Sequence, residues 1–175
     1  MIKKFLTPAL IAVAALSASA AHAADAKPGE VIRYANTGPN AIPFPIAKAV
    51  EVPAGKSVVY LSGQLASKLE GAKASDNSQD AYGNTEQQTL STLTKIQATL
   101  KEMGLDMKDV VKMTVFLKGD PEQGGKLDFA GMMKSYTKFF GTKEQPNVPA
   151  RSAVQVAALA APQFLIEIEV IAVRP

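Results

Sequence analysis

One arginine, a pair of glutamates and a Ser-Gly step are the residues of this chain whose types and spacing could do chemistry. Arg151 stands near the start of "VPARSAVQVAAL", a stretch otherwise built mostly from Ala, Val, Ser and Gln. With small Ala153 beside it, its guanidinium would border a hollow, and a planar fork of donors at a hollow is a bidentate anchor for a carboxylate. The commoner role of such an arginine is a solvent-facing strand end or a surface ion pair. Glu167 and Glu169 stand two apart in "FLIEIEVIAV", hence on one face of a strand. Solvent-facing charge on an edge strand is the ordinary reading. Flanked by Leu165 and Ile171, one of them is also the natural general acid or base of the chain. Paired carboxylates suit a metal or glycoside cleavage as well, and a single i, i+2 pair specifies neither. Gly63 in "YLSGQL" lies inside a strand, where glycine costs stability unless a bulge or a close approach needs the space. "GDPEQGGK" has the wrong spacing for a phosphate loop and no Ser or Thr after Lys126.

What the chain lacks narrows the chemistry further. Among 175 residues there is one histidine and no cysteine, with a formal charge of +3. Residues 1–23 have the layout of a secretory signal peptide: Lys3 and Lys4, an apolar run, then Ala21-His22-Ala23 as a small-x-small cleavage site. The run is short for a membrane anchor. The expectation is a single domain over residues 24–175, exported to the periplasm or beyond the cell. Cleavage would remove His22 and two lysines, leaving +1. The mature chain would then have no Ser-His-Asp triad, no cysteine nucleophile, no His or Cys metal site and no disulfide. Its cations are scattered among acids, which argues for no nucleic-acid partner.

The elements that must hold these residues follow from periodicity. "VIRYAN" predicts a short strand, and "AVEV" and "SVVYLSGQL" predict a hairpin across Pro53-Ala54-Gly55-Lys56. Residues 66–84 turn polar and predict a long surface loop. Thr85 and Gln88 read as a capping box before Leu90, Leu93, Ile96, Leu100 and Met103 at helical spacing, with Gly104 as the stop. "DVVKMTVFLKG" predicts a strand and residues 126–140 a second helix, striped by Leu127, Ala130, Met133 and Tyr136. Two closing strands complete β-β-β-α-β-α-β-β, an α+β fold with both helices on one side of a sheet. Val59, Leu61, Met113, Val115, Leu117, Val154, Val156, Ile166, Ile168 and Val170 would form the helix-covered face. Tyr60, Ser62, Gln64, Thr114, Phe116, Arg151, Ala153, Gln155, Leu165, Glu167, Glu169 and Ile171 would share the other. That second face is too apolar for full solvation, so it is expected to pack on another subunit, with Arg151 and the glutamates near the interface. The short "AAPQ" turn predicts the last two strands as antiparallel neighbours, with Arg151 opposite Ile171 or Val173.

"YLSGQL", "DVVKMTVFLKG", "PARSAVQVAAL" and "IEIEVIAV", in this order and spacing, resemble the RidA/YjgF family, also labelled L-PSP endoribonucleases; the resemblance covers roughly residues 41–173. It implies a chorismate-mutase-like α+β fold assembled as a homotrimer with ligand clefts between subunits. It also implies hydrolysis of enamine and imine intermediates of amino acids to 2-oxo acids and ammonia, without metal or organic cofactor. By resemblance Arg151 grips the substrate carboxylate and Glu167 positions or activates the attacking water. Ser62, Gly63, Phe116, Ile46 and Ala153 fall on the pocket wall. The chain departs from the family in having Ile46 for a tyrosine, Ala153 for a cysteine, Met133 for an asparagine, and a longer 66–84 loop. Three readings stand: an imine deaminase, a non-catalytic binder of small carboxylates, and a ribonuclease. The mature charge and the missing histidine argue against the third.

Overall fold

The computed structural model describes residues 27–39, 41 and 44–175. The expected leader, residues 1–23, lies outside the described residues. The elements are β1 (Ile32–Ala35), β2 (Ala47–Glu51), β3 (Val58–Leu65), α1 (Thr85–Glu102), β4 (Val110–Lys118), α2 (Phe129–Tyr136), β5 (Ala150–Val156) and β6 (Ile166–Val173), in the expected order. The main sheet has four strands ordered β3-β6-β4-β5, and β1 pairs with β2 in a separate ribbon. β4 runs antiparallel to β6 and parallel to β5, so the sheet is mixed.

The centre of the sheet is where alternation reads most plainly. Met113, Val115 and Leu117 of β4 are fully buried, and the residues between them are not. β6 repeats this with Ile166, Ile168 and Val170. Both rows face the helices, meeting Leu93, Ile96 and Leu100 of α1 and Met132 and Tyr136 of α2 in one core. The opposite face carries no helix and leaves Tyr60 75% and Val154 46% exposed.

Two neighbour relations differ from the sequence expectation. β2 pairs with β1 and not with β3. Ala47 N–H donates to Pro149 O at 3.0 Å, which holds β2 near the β5 edge, while β3 forms the opposite edge. Residues 52–57 therefore cross the end of the sheet instead of turning a hairpin. Likewise β5 and β6 are not neighbours, because β4 lies between them. Residues 157–165 pass over the end of β4, where Lys118 N–H donates to Leu165 O at 2.9 Å and Lys118 Nζ donates to Pro162 O.

The helices also shift by a residue or more from their expected stripes. α1 is capped by Asn84 with Gln87, one position ahead of the expected box, and Leu90 is exposed. Its buried face continues upstream through Gln88, Thr89 and Thr85, which are tolerated because they are bonded. Thr85 Oγ1 donates to Asp120 Oδ2 at 3.1 Å and Thr89 Oγ1 to Thr85 O at 2.6 Å. In α2, Ala130 is exposed and Met132 takes the inner place. Leu165, expected on the open face, is fully buried. The 66–84 loop is irregular as expected, but Ala66, Ala81 and Tyr82 form a small second core with Phe164.

Gln88 is the residue that ties the β5–β6 connection to α1. Its amide donates to Gly83 O and Gln163 O, both at 3.0 Å, and accepts from Leu165 N–H at 2.8 Å. Gln88→Ala would leave three backbone groups without this partner. It should lower unfolding free energy by about 2–4 kcal/mol, read by urea denaturation, since unmet buried groups cost more than an average hydrogen bond contributes.

Candidate functional site

Arg151 lies on the helix-covered face, not among the glutamates. The parallel β4–β5 register aligns Met113 with Arg151 and Val115 with Ala153, and aligned residues share a face. Val154 is instead on the open side and 46% exposed. The expected parity of β5 is thus reversed. It could be misread because this strand has small or apolar residues on both faces.

From the second position of β5 the Arg151 side chain runs beneath α2. Phe129, Met132, Met133 and Tyr136 recur at i, i+3, i+4 and i+7, so one helical stripe supplies the whole roof. The guanidinium stacks 4.3 Å from the Tyr136 ring centroid and 5.7 Å from that of Phe129. Its Nη1 donates to Met133 Sδ at 3.2 Å and lies 4.0 Å from Met132 Sδ. Ion pairs among the described residues join Glu86 to Lys134 and Lys138, and none involves Arg151. Burial lowers the Arg151 pKa from its ordinary value, with the Tyr136 hydroxyl acting the other way. Guanidinium stays charged in proteins regardless. Burial likewise raises the Tyr136 pKa, and its hydroxyl donates to Pro45 O at 2.9 Å. That bond and the Ala47–Pro149 bond place Ile46 beside the start of β5, and Ile46, Ala153 and Met133 each pack partly buried against the same core. Phe129, Met132 and Tyr136 were absent from the expected site. Their spacing in "FAGMMKSY" was the available signal.

Glu167 occupies the open face, where Phe116 and the Ser62-Gly63 bulge adjoin it. It aligns with Phe116 on β4 and with Leu65 on β3. β3 breaks register between Leu61 and Gln64, so Gly63 sits in a bulge. A Cβ there would come within 2.0 Å of Glu167 Oε1 and 2.9 Å of Cδ. Gly63 therefore sits in a bulge, the alternative expected for it, and the Glu167 side chain occupies the space a Cβ would take. A pocket of about 330 Å³ joins Glu167 and Glu169 to Phe116, Val156 and Leu159. Exposed Ser62 lies in an adjoining hollow of about 290 Å³ with Tyr60, Lys112, Thr114 and Glu169.

One chain thus carries two groups of expected residues on opposite sides of its sheet: Arg151 with Ala153, near Ile46, and Glu167 with Ser62, Gly63 and Phe116. Through Met113, Arg151 aligns with Val170, three positions from Glu167 and two ladders away. At about 3.4 Å per residue and about 4.8 Å per ladder, their backbones are roughly 14 Å apart.

The family model for Endoribonuclease L-PSP matches residues 40–174. The chain belongs to that family, the RidA/YjgF family. A RutC family protein of Haemophilus influenzae is 41% identical over 88 residues, 50% of this chain and 62% of its own length. The chain thus spans less than two thirds of that relative. A 2-iminobutanoate/2-iminopropanoate deaminase of Salmonella typhimurium is 38% identical over 119 residues, covering 67% of this chain and 80% of that one. The structure of Escherichia coli TdcF with bound serine superposes with a TM-score of 0.52 at 30% identity, over 75% of this chain and 94% of TdcF.

Gly63→Ala tests the Glu167 contact. The clash is with the far end of a side chain, so the fold should keep its stability to within about 1 kcal/mol while Glu167 swings away. Denaturation and a crystal structure of the variant check both parts. An unmoved Glu167 would contradict the assignment.

Proposed function

We propose that this RidA/YjgF protein is an imine deaminase working in clefts shared between copies of the chain in a homotrimer. The observation that carries this is Arg151: a half-buried guanidinium with no acid paired to it among the described residues. Such a cation is an anion receptor in waiting, and its fork suits a carboxylate. The relative named as a deaminase of short 2-imino acids supports that ligand class.

Arg151 and Glu167 cannot reach one small substrate within a chain, being on opposite faces. A cleft that uses both must take Arg151 from one subunit and Glu167 from the next. The uncovered sheet face, with Tyr60 and Val154 exposed, supports a subunit contact there. In the cleft, Arg151 holds the substrate carboxylate and keeps the imine carbon in place. Glu167, steadied over Gly63, takes a proton from water as the water oxygen bonds to that carbon, and hands it to the imine nitrogen to give the carbinolamine. It then takes the carbinolamine hydroxyl proton as the C=O bond forms and passes it to the nitrogen as the C–N bond breaks. The products are the 2-oxo acid and ammonia, and no group beyond water is consumed.

Ammonia release from imines generated in situ measures this. Arg151→Ala should lose roughly a hundredfold in rate, about 3 kcal/mol of charge-assisted bonding, and Arg151→Lys should recover part of it. Co-refolding Arg151→Ala with Glu167→Ala chains should regain about a quarter of the parent activity, since random mixing in a ring restores that share of clefts. Mixed trimers, verified by native mass spectrometry, that stay as inactive as either parent would sink the shared site. Carboxylate binding without ammonia release would leave a binding protein only.

The leader expected at residues 1–23 makes this an exported member, with the domain over residues 24–175. Intact mass of protein from the exported fraction should correspond to a chain starting at Ala24. A mass retaining Met1 would refute both cleavage and export by this route.

A further inference from the structure

The roof over Arg151 has a composition that bears on what the carboxylate is attached to. Two thioether sulfurs face the guanidinium edge, Met133 at 3.2 Å and Met132 at 4.0 Å. Sulfur is a weak acceptor, so these contacts hold the cation without neutralising it, and an arriving carboxylate displaces them readily. The two methionines are not equivalent. Met132 is 1% exposed and locked in the core. Met133 is only partly buried at the edge of that core, so it is the one free to yield. The surroundings are apolar: Phe129, edge-on to Phe44 with centroids 5.1 Å apart, and Ile46, partly buried against the same core. The polar member of the roof, Tyr136, has its hydroxyl proton committed to Pro45 O.

We infer that Met133 is the specificity-determining residue of this site, and that it selects 2-imino and 2-oxo acids whose substituent is a sizeable apolar group over short or polar ones. This rests on the Arg151 site being the carboxylate receptor proposed above. When the carboxylate takes the guanidinium edge, the Met133 thioether moves off Nη1 and lies along the substituent. Three rotatable bonds and a polarisable sulfur let it fit unbranched, branched or aromatic shapes. A hydroxyl or charged substituent would be desolvated against Phe129, Met133 and Ile46 with no partner among them, which disfavours it.

Two measurements on the mature protein test this. One is turnover of imines generated from alanine, serine, leucine, methionine and phenylalanine by an amino-acid oxidase. The other is calorimetric binding of pyruvate and 4-methyl-2-oxopentanoate. The parent should prefer the large apolar members by about tenfold or more in kcat/KM and in affinity. Met133→Asn should narrow that ratio to within about threefold, and Met133→Leu should keep it within about twofold of the parent. Equal or better handling of the alanine and serine imines by the parent overturns the inference. So does a Met133→Asn variant that lowers all substrates by one factor, because a merely structural role would do that. If no imine is hydrolysed but the apolar preference in 2-oxo acid binding is present and lost in Met133→Asn, the specificity assignment stands and the deaminase reading falls. If neither binding nor turnover occurs, both fall.

Discussion

Met113 faces Arg151 across the parallel β4–β5 ladder, and this register sets a guanidinium on the side of the sheet that the helices cover. A shift of one residue would send Arg151 to the uncovered face and Val154 into the core. In the observed register the charge lies under the inner stripe of α2, stacked on Tyr136 and touched by two sulfurs. Aromatic faces and thioethers attract a cation at modest strength, enough to orient it and too little to cancel it. An ion pair there would have made a structural element of Arg151. Its absence among the described residues leaves the charge available to a ligand.

The open face obeys a different constraint. Glu167 is placed by the β6 pairing with β3 and β4, and its carboxylate is seated where Gly63 has no side chain. The bulge at Ser62 and Gly63 costs pairing in β3, and the space it frees is occupied by the glutamate. Around it, Phe116, Val156 and Leu159 make an apolar surround unusual for a solvated face. A surface of this composition favours contact with another protein surface over water. The separation of the two charges by the sheet and the apolar character of the open face are the two observations on which the proposal of sites completed between chains rests.

The connections that position both groups of residues are held by polar groups bonded to their partners. Gln88 bonds the 157–165 connection to the start of α1, and Lys118 bonds the same connection at the end of β4. Thr85 and Asp120 do the same for the turn after β4. Such groups stabilise only as complete sets. They also explain why the apolar stripe of α1 ends short of its first turn and a half.

By itself the sequence determined which residues could do chemistry and the order of the elements. Arg151, Glu167 and Gly63 are uncommon where they stand, and strong β-formers and helical spacing mark β4, β6 and α1. The face of β4 and of β6 was equally legible, because only one row of each is uniformly apolar. Neighbours and parity were decided in the tertiary structure. β5 alternates Arg151, Ala153 and Gln155 with Ser152, Val154 and Val156, and neither row is distinctly the buried one. Period two says that alternate residues share a side, never which side, and chain adjacency says nothing of whether another strand inserts between two. Only the long-range pairing of β4 with both β5 and β6 resolved these, because it alone covers the apolar rows of β4 and β6 with both helices. That pairing put Arg151 under α2, Glu167 on the far face, and Met133 on the guanidinium.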